Sequence, residues 1–339
     1  MSKLNSYQCG RRAFLALISA ACAASALGIP SPSDAQAPPE TTKIRLVVAP
    51  VACAAPLYIA KDLLIAEGFS EVKYFQGIPE TGPAIVARGL ADFTLWDVGA
   101  LFPLLDKGKN LVTLAGVHSG CQEIFANEKI QAISDLKGKR IAISSKNNGD
   151  HMFVSSILGY VGIDPRNDVT WVTDSFGAGS RKLFVDGKVD AFIAFEPEPH
   201  ELREKKIGHS ILNTLEDKPW SQYFCCMFSG NRDFVRKNPI ATRRVLRALL
   251  KAADICALEP ERAARFMVTK GHEKRYEWAL DILKGLPYRR WRDANPEDTI
   301  RFHALGLHEV GMIKTSPNKL IAQGTDWRFL NELKKELKV

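Results

Sequence analysis

Short apolar runs alternate along this chain with longer stretches of helical periodicity, the pattern of parallel sheets in an α/β protein. Lys43-Ile44-Arg45-Leu46-Val47-Val48 reads as a first strand. A loop over residues 49–55 follows, then a helix opened by Pro56, because proline suits the first helical turn. Residues 71–75 form a second strand, ending in a glycine-rich turn from Gly77 to Gly82. Residues 91–96 and 111–117 make a third and a fourth.

A second set of the same kind starts at Leu136-Lys137-Gly138-Lys139-Arg140, which leads into a strand over 141–144. The polar turn Ser145-Lys146-Asn147-Asn148-Gly149 opens a helix over 150–161. A strand over 169–172 and a short helix over 180–186 come next. The strand over 191–195 must stop at Glu196-Pro197-Glu198-Pro199, since proline cannot feed a sheet ladder. Past Phe228 the chain is mainly helical. Val245, Leu246, Leu249, Leu250 and Ala253 form a buried stripe, which Cys256 extends as a core thiol. Gly89-Leu90-Ala91-Asp92-Phe93 and Gly187-Lys188-Val189-Asp190-Ala191-Phe192 echo one another. Two lobes on one plan are therefore expected, with ligand between them outside the carboxyl ends of the strands.

Arg11-Arg12-Ala13-Phe14-Leu15, ahead of an uncharged small-residue run to Ile29, reads as a twin-arginine export signal. The run falls short of the ~20 apolar residues needed to span a bilayer. Cleavage is expected after Ala35, leaving a protein that works in the periplasm. The formal charge is +8, with seventeen Lys/Arg against ten Asp/Glu between residues 232 and 301. These charges are interleaved with acids and apolar stripes, which reads as a solvated helical surface. No motif for nucleic acid is present. Cys53, Cys121, Cys225, Cys226 and Cys256 follow the signal. Their number is odd and the only close pair is sequence-adjacent, so neither a disulfide framework nor a metal or redox motif is expected.

Four stretches in this order carry a resemblance. They are Ala55-Pro56-Leu57-Tyr58-Ile59-Ala60, Gly89-Leu90-Ala91-Asp92-Phe93, Asp135-Leu136-Lys137-Gly138-Lys139-Arg140-Ile141-Ala142 and Gly187-Lys188-Val189-Asp190-Ala191-Phe192. The chain resembles the periplasmic solute-binding proteins for nitrate, taurine and aliphatic sulfonates, whose superfamily also includes pyrimidine-precursor binding proteins and a pyrimidine synthase. The resemblance implies an α/β, two-lobe Venus-flytrap fold with a largely helical C-terminal region. Lobe I would take residues 43–116 plus 228–339, and lobe II residues 117–227. It further implies a monomer without cofactor, metal or catalysis. A small-molecule ligand would close the hinge, and the closed form would dock on a membrane ABC permease.

Candidate ligand contacts follow from these placements. The turns at Ala55 and Gly82 would face the cleft. Asn147, Asn148 and Gly149 stand at a helix N-terminus whose free N–H groups suit an anion, or where Asn simply caps the helix, and His151 adds a donor. Asp150 would oppose an anion there. Glu196 would accept from ligand N–H groups, as a carboxylate in a similar place does in the pyrimidine-binding relatives; Trp96 and Asp97 offer a stacking face and an acceptor. His118, Ser119, Gly120 and Cys121 lie at the first crossover, and Tyr223 and Cys225 at the second. Two rival readings remain open. One is a secreted enzyme with Cys225 or Cys121 as nucleophile and His118 or His151 as base. The other is a sensor that docks on a membrane receptor.

Overall fold

The structure, a computed structural model, describes residues 37–76, 81–175 and 177–337, and the export signal expected from the sequence lies outside them. Its strands are β1 (Lys43–Val48), β2 (Glu71–Gln76), β3 (Phe93–Asp97), β4 (Leu111–His118) and β5 (Gln122–Ala126), then β6 (Arg140–Ile143), β7 (Thr170–Thr173), β8 (Ala191–Phe195), β9 (His209–Asn213) and β10 (Cys226–Asn231). The helices are α1 (Ala55–Ala66), α2 (Gly82–Ala87), α3 (Phe102–Asp106), α4 (Gly149–Tyr160), α5 (Ala178–Val185), α6 (Glu198–Lys205) and α7 (Arg232–Lys237). They continue as α8 (Pro239–Leu258), α9 (Pro260–Thr269), α10 (Tyr276–Gly285), α11 (Pro296–Glu309), α12 (Pro317–Gly324) and α13 (Arg328–Glu336).

Two five-stranded sheets form, in the orders β2-β1-β3-β10-β4 and β7-β6-β8-β5-β9. In each, one strand runs against its neighbours: β10 is antiparallel to β3 and β4, and β5 to β8 and β9. These two are the strands by which the chain crosses between sheets. β5 and β9 are additions to the strands read from the sequence. β5 starts directly after a turn and opens on Gln122-Glu123, and β9 is a polar edge strand, so neither shows an apolar run.

The echoed Gly-x-x-Asp stretches do the same job twice. In the first sheet, Asp92 accepts from the backbone N–H of Arg45 at 2.7 Å and from its guanidinium at 2.7 Å, while Asp92 N–H donates to the Arg45 carbonyl at 2.8 Å. In the second, Asp190 accepts from the N–H and guanidinium of Arg140 at 2.9 and 3.0 Å and returns its own N–H at 2.8 Å. The glycine three residues earlier has positive φ in both, +75° at Gly89 and +68° at Gly187, which permits the tight turn. The motif pins one strand to its neighbour.

The stripe on α8 is buried as its spacing requires, Cys256 included, and packs with α1 on the first sheet. A second apolar cluster runs from Trp96, Leu101 and Phe102 of the first sheet region through Phe153 of α4 to Ile300 on α11. It joins the two halves of the molecule. The strand ends of both sheets are thereby brought face to face.

Candidate functional site

Four chain segments meet where the strand ends converge. Between β1 and α1, residues Ala52–Ala54 form one tight turn that buries Cys53. β3 ends at Asp97, whose carboxylate accepts from Ala100 N–H at 3.2 Å. β4 ends at His118, followed by Ser119 and a left-handed pair, Gly120 (φ +76°) and Cys121 (φ +85°), before β5 begins. The returning strand contributes Cys225 and Cys226.

A small cavity of ≈ 20 Å³ lies here, lined by Ala49, Val51, Cys53, Ala54, Leu95, Trp96, Asp97, Cys121, Phe195 and Cys226. That is room for roughly one water molecule. A larger chamber of ≈ 200 Å³ shares Val51 and Phe195 with it and is otherwise lined by Pro50, Gly177, Ala178, Glu196, Pro197 and Glu198. Among the described residues lining either chamber, none is Lys or Arg, whereas three are carboxylates. Burial pushes Asp97 up to about 7, helped by nearby Asp150, and burial likewise pushes Glu198 to about 7.

The predicted residues fall into distinct places. Trp96, Asp97 and Cys121 line the small cavity and Glu196 the larger one. Gly82 and Ala55 lie behind it: a Cβ on Gly82 would collide with Thr94 and Trp96, and Ala55 is fully buried at the start of α1. The N-terminus of α4 does not open onto free space. The Asp97 carboxylate packs against Gly149, where an added Cβ would come 2.5 Å from Asp97 Oδ1. Asn148 accepts from Gly149 N–H at 2.9 Å, and Asp150 is buried and accepts from the Ser144 hydroxyl at 2.9 Å. His151 accepts the Asn147 N–H on Nδ1 at 3.0 Å, and burial lowers it to about 4, so it is neutral. Tyr223 stacks on Phe302 with ring centroids 4.1 Å apart and lines neither chamber.

Two expectations about cysteine are corrected. Cys121 and Cys225 form a disulfide although 104 residues separate them, because β4–β5 and β10 cross between the sheets side by side. Both are thereby removed as candidate nucleophiles. The adjacent pair Cys225 and Cys226 is not bonded, with sulfurs 3.9 Å apart. Nor is the chain without a metal-type constellation: donor atoms of Cys53, His118, Cys121 and Cys226 all lie within 4.8 Å of one another, all four residues buried. Cys53 was not among the residues expected at the site. The trace it leaves in the sequence is a lone thiol in the turn directly after the first strand.

The family model for NMT1/THI5-like proteins matches residues 54–263. The chain belongs to the NMT1/THI5-like family. It is 27% identical to the nitrate/nitrite binding protein NrtA of Nostoc sp. over 66% of its own length and 56% of that protein's. The chain spans about half the length of the curated relatives it matches. Among solved structures it superimposes on the periplasmic nitrate-binding protein NrtA of Synechocystis PCC 6803 with a TM-score of 0.75 at 17% identity, covering 89% of this chain and 91% of that one. The alkanesulfonate-binding protein SsuA of Xanthomonas axonopodis pv. citri bound to MOPS gives 0.66 at 18%, covering 85% and 99%. The fold is that of the periplasmic binding proteins. Among the described residues of this family member, no helix is long and apolar enough to cross a membrane.

Polar contacts hold the two halves together at the rim. His200 on α6 lies 2.8 Å from Glu196 and, through its other ring nitrogen, 3.0 Å from Asp281 on α10. Glu204 on the same helix accepts from Arg275 at 2.8 Å and from the Trp278 indole at 3.1 Å. The bond to Glu196 raises His200 to about 9, with Asp281 assisting. A raised histidine stabilises fully below 6.5, its ordinary value, and that contribution is lost as pH climbs through about 9. Asp281 is 76% exposed, so solvent screening trims the effect to about 1–2 kcal/mol. Melting temperatures measured from about pH 6 to about pH 10 should fall over that window, and His200→Gln should flatten the fall.

Proposed function

We propose that this chain is the extracytoplasmic solute-binding component of an ABC importer. It captures a small solute between its two sheets and passes it to a membrane permease without chemical change. The observation that carries the reading is the cleft itself: a chamber of ≈ 200 Å³ lined by Pro50 and Val51 beyond β1 of one sheet and by Phe195, Glu196, Pro197 and Glu198 at the end of β8 of the other, in a family member with the periplasmic-binding-protein fold. The paired arginines near the N-terminus support export to the periplasm, and a monomer suits delivery.

The ligand proposed is a small solute that presents N–H donors or positive charge, in contrast to the anions named for NrtA and SsuA. Glu196, together with Asp97 and Glu198 that are each part-ionised near neutral pH, and a lining with no Lys or Arg offer acceptors and no cation to nitrate or a sulfonate. The helix terminus that could neutralise an anion is covered by Asp97. A zwitterion such as taurine, or a pyrimidine precursor with ring N–H groups, fits the acceptors at Glu196 and Asp97.

Thermal-shift screening of the purified protein with nitrate, alkanesulfonates, taurine, amines and pyrimidine precursors tests this. A ligand at 100 times its Kd should add about 2.7 kcal/mol of stability. Glu196→Gln should weaken a donor-bearing hit by about tenfold or more, the worth of a charge-assisted hydrogen bond. A panel in which only nitrate or sulfonates stabilise the protein, indifferent to Glu196→Gln, would overturn the ligand class. Turnover of a candidate substrate would overturn the non-catalytic role.

A further inference from the structure

The floor of the cleft carries chemistry that an organic solute does not explain. Three sulfurs and one imidazole, from Cys53, Cys121, Cys226 and His118, converge from the turn after β1, the crossover after β4 and the start of β10. All are at least nine-tenths buried. His118 Nδ1 lies 3.3 Å from the Ser119 carbonyl, so its N–H points there and the Nε2 lone pair is left over. That Nε2 is buried without a hydrogen-bond partner. A ring nitrogen oriented by a carbonyl on its far side is the usual arrangement behind a metal-ligating histidine. The enclosed space beside these donors, ≈ 20 Å³, is of atomic size.

We propose that Cys53, His118 and Cys226, joined by Cys121, bind one thiophilic metal ion of the Zn2+ class at the base of the cleft. Soft thiolates with one imidazole suit such an ion in tetrahedral geometry, and contraction from donor separations of up to 4.8 Å is small for side chains. The disulfide sets the state of the site, because Cys121 is bonded to Cys225 in the oxidised protein. A dithiol reductant opens it by exchange: the S–S bond breaks, Cys121 and Cys225 each gain an electron and a proton, and the reductant becomes its own disulfide. Metal binding then releases the thiol protons. Oxidised protein keeps three donors and binds more weakly. The site rests on the cleft reading for its position but not for its chemistry.

The test is titration of the full chain, reduced anaerobically, with Zn2+ and with Co2+ as a spectroscopic stand-in. One equivalent should bind, with sulfur-to-cobalt charge-transfer absorption and the intense visible bands of a tetrahedral ion. Cys53→Ser, Cys226→Ser and His118→Gln should each weaken Zn2+ binding by more than ~10-fold, and oxidation should weaken it also, whereas Cys256→Ala should not. If the serine variants fail to fold, protection of the unaltered protein's Cys53 and Cys226 from alkylation by Zn2+, read by peptide mass spectrometry, decides. A cobalt spectrum without thiolate charge transfer, or no protection of those two thiols, overturns the proposal. An organic hit from the thermal-shift panel alongside a failed metal titration removes this site alone. Failure of both removes the cleft reading as well.

Discussion

Arg247→Ala is expected to destabilise the protein by about 3–5 kcal/mol, the largest effect of any single substitution considered. Arg247 on α8 is almost fully buried, and it holds two carboxylates from elsewhere in the fold. Its Nε donates to Glu67 at 2.8 Å and a second nitrogen pairs with the other oxygen, while NH1 donates to Glu336 on α13 at 2.9 Å. Glu67 caps the C-terminal end of α1, where the helix dipole already disfavours negative charge. Without the guanidinium, a carboxylate that is only 11% exposed loses both of its short hydrogen bonds and keeps only the half-exposed ammonium of Lys251, 3.9 Å away. Urea unfolding should report the loss, and the melting temperature should drop by about 10 °C. Adding Glu67→Gln to the variant should return part of the stability by removing the stranded charge. A loss under about 1 kcal/mol would mean that Glu67 swings into solvent and that the three helices are not tied through Arg247.

Gly149→Ala should act on closure instead of on the cores. Gly149 opens α4 with ordinary helical geometry, so alanine meets no backbone strain, and helix propensity slightly favours it. The obstacle is across the cleft. The new Cβ would sit 2.5 and 2.8 Å from the two oxygens of Asp97 and 3.0 Å from its Cγ. Asp97 cannot retreat easily, being buried and tied to Ala100 N–H. Overpacking of this kind costs about 1–3 kcal/mol, charged here to the closed arrangement only. Ligand affinity should fall by roughly 5- to 150-fold. Small-angle scattering should show a larger radius of gyration, with the unfolding transition little moved. Unchanged affinity and unchanged dimensions would show that Asp97 gives way and that Gly149 does not meter closure.

Much of the architecture was legible before the structure. β1, β4, β6 and β8 are largely apolar runs bounded by glycine, proline or polar turns, β2 interleaves Val72, Tyr74 and Phe75 with polar residues, and α8 carries a continuous stripe, so local physics alone marks them. β5 and β9 were not legible, because a crossover strand and a polar edge strand owe their state to neighbours distant in sequence. The candidate site was read in part. Trp96, Asp97, Cys121 and Glu196 stand at strand ends, and strand ends collect ligands in open α/β sheets. Asn147–Gly149 carried the signature of an anion site, yet such a signature records free N–H groups and not what will cover them. Tyr223 shares the second crossover with Cys225 but turns onto Phe302.

The order of apolar and polar residues determined by itself that this chain forms α/β lobes on a repeated plan, since strand and helix periods and the Gly-x-x-Asp turn are local properties. Only the tertiary structure decided the chemistry between the lobes. Cys53, His118, Cys121 and Cys226 are scattered between residues 53 and 226, and their meeting depends on two crossover strands lying side by side. The same long-range packing lays Asp97 on the end of α4 and joins Cys121 to Cys225. Contacts of that separation leave no periodic trace in a sequence, because each partner's local backbone preference is satisfied whether or not the other is present.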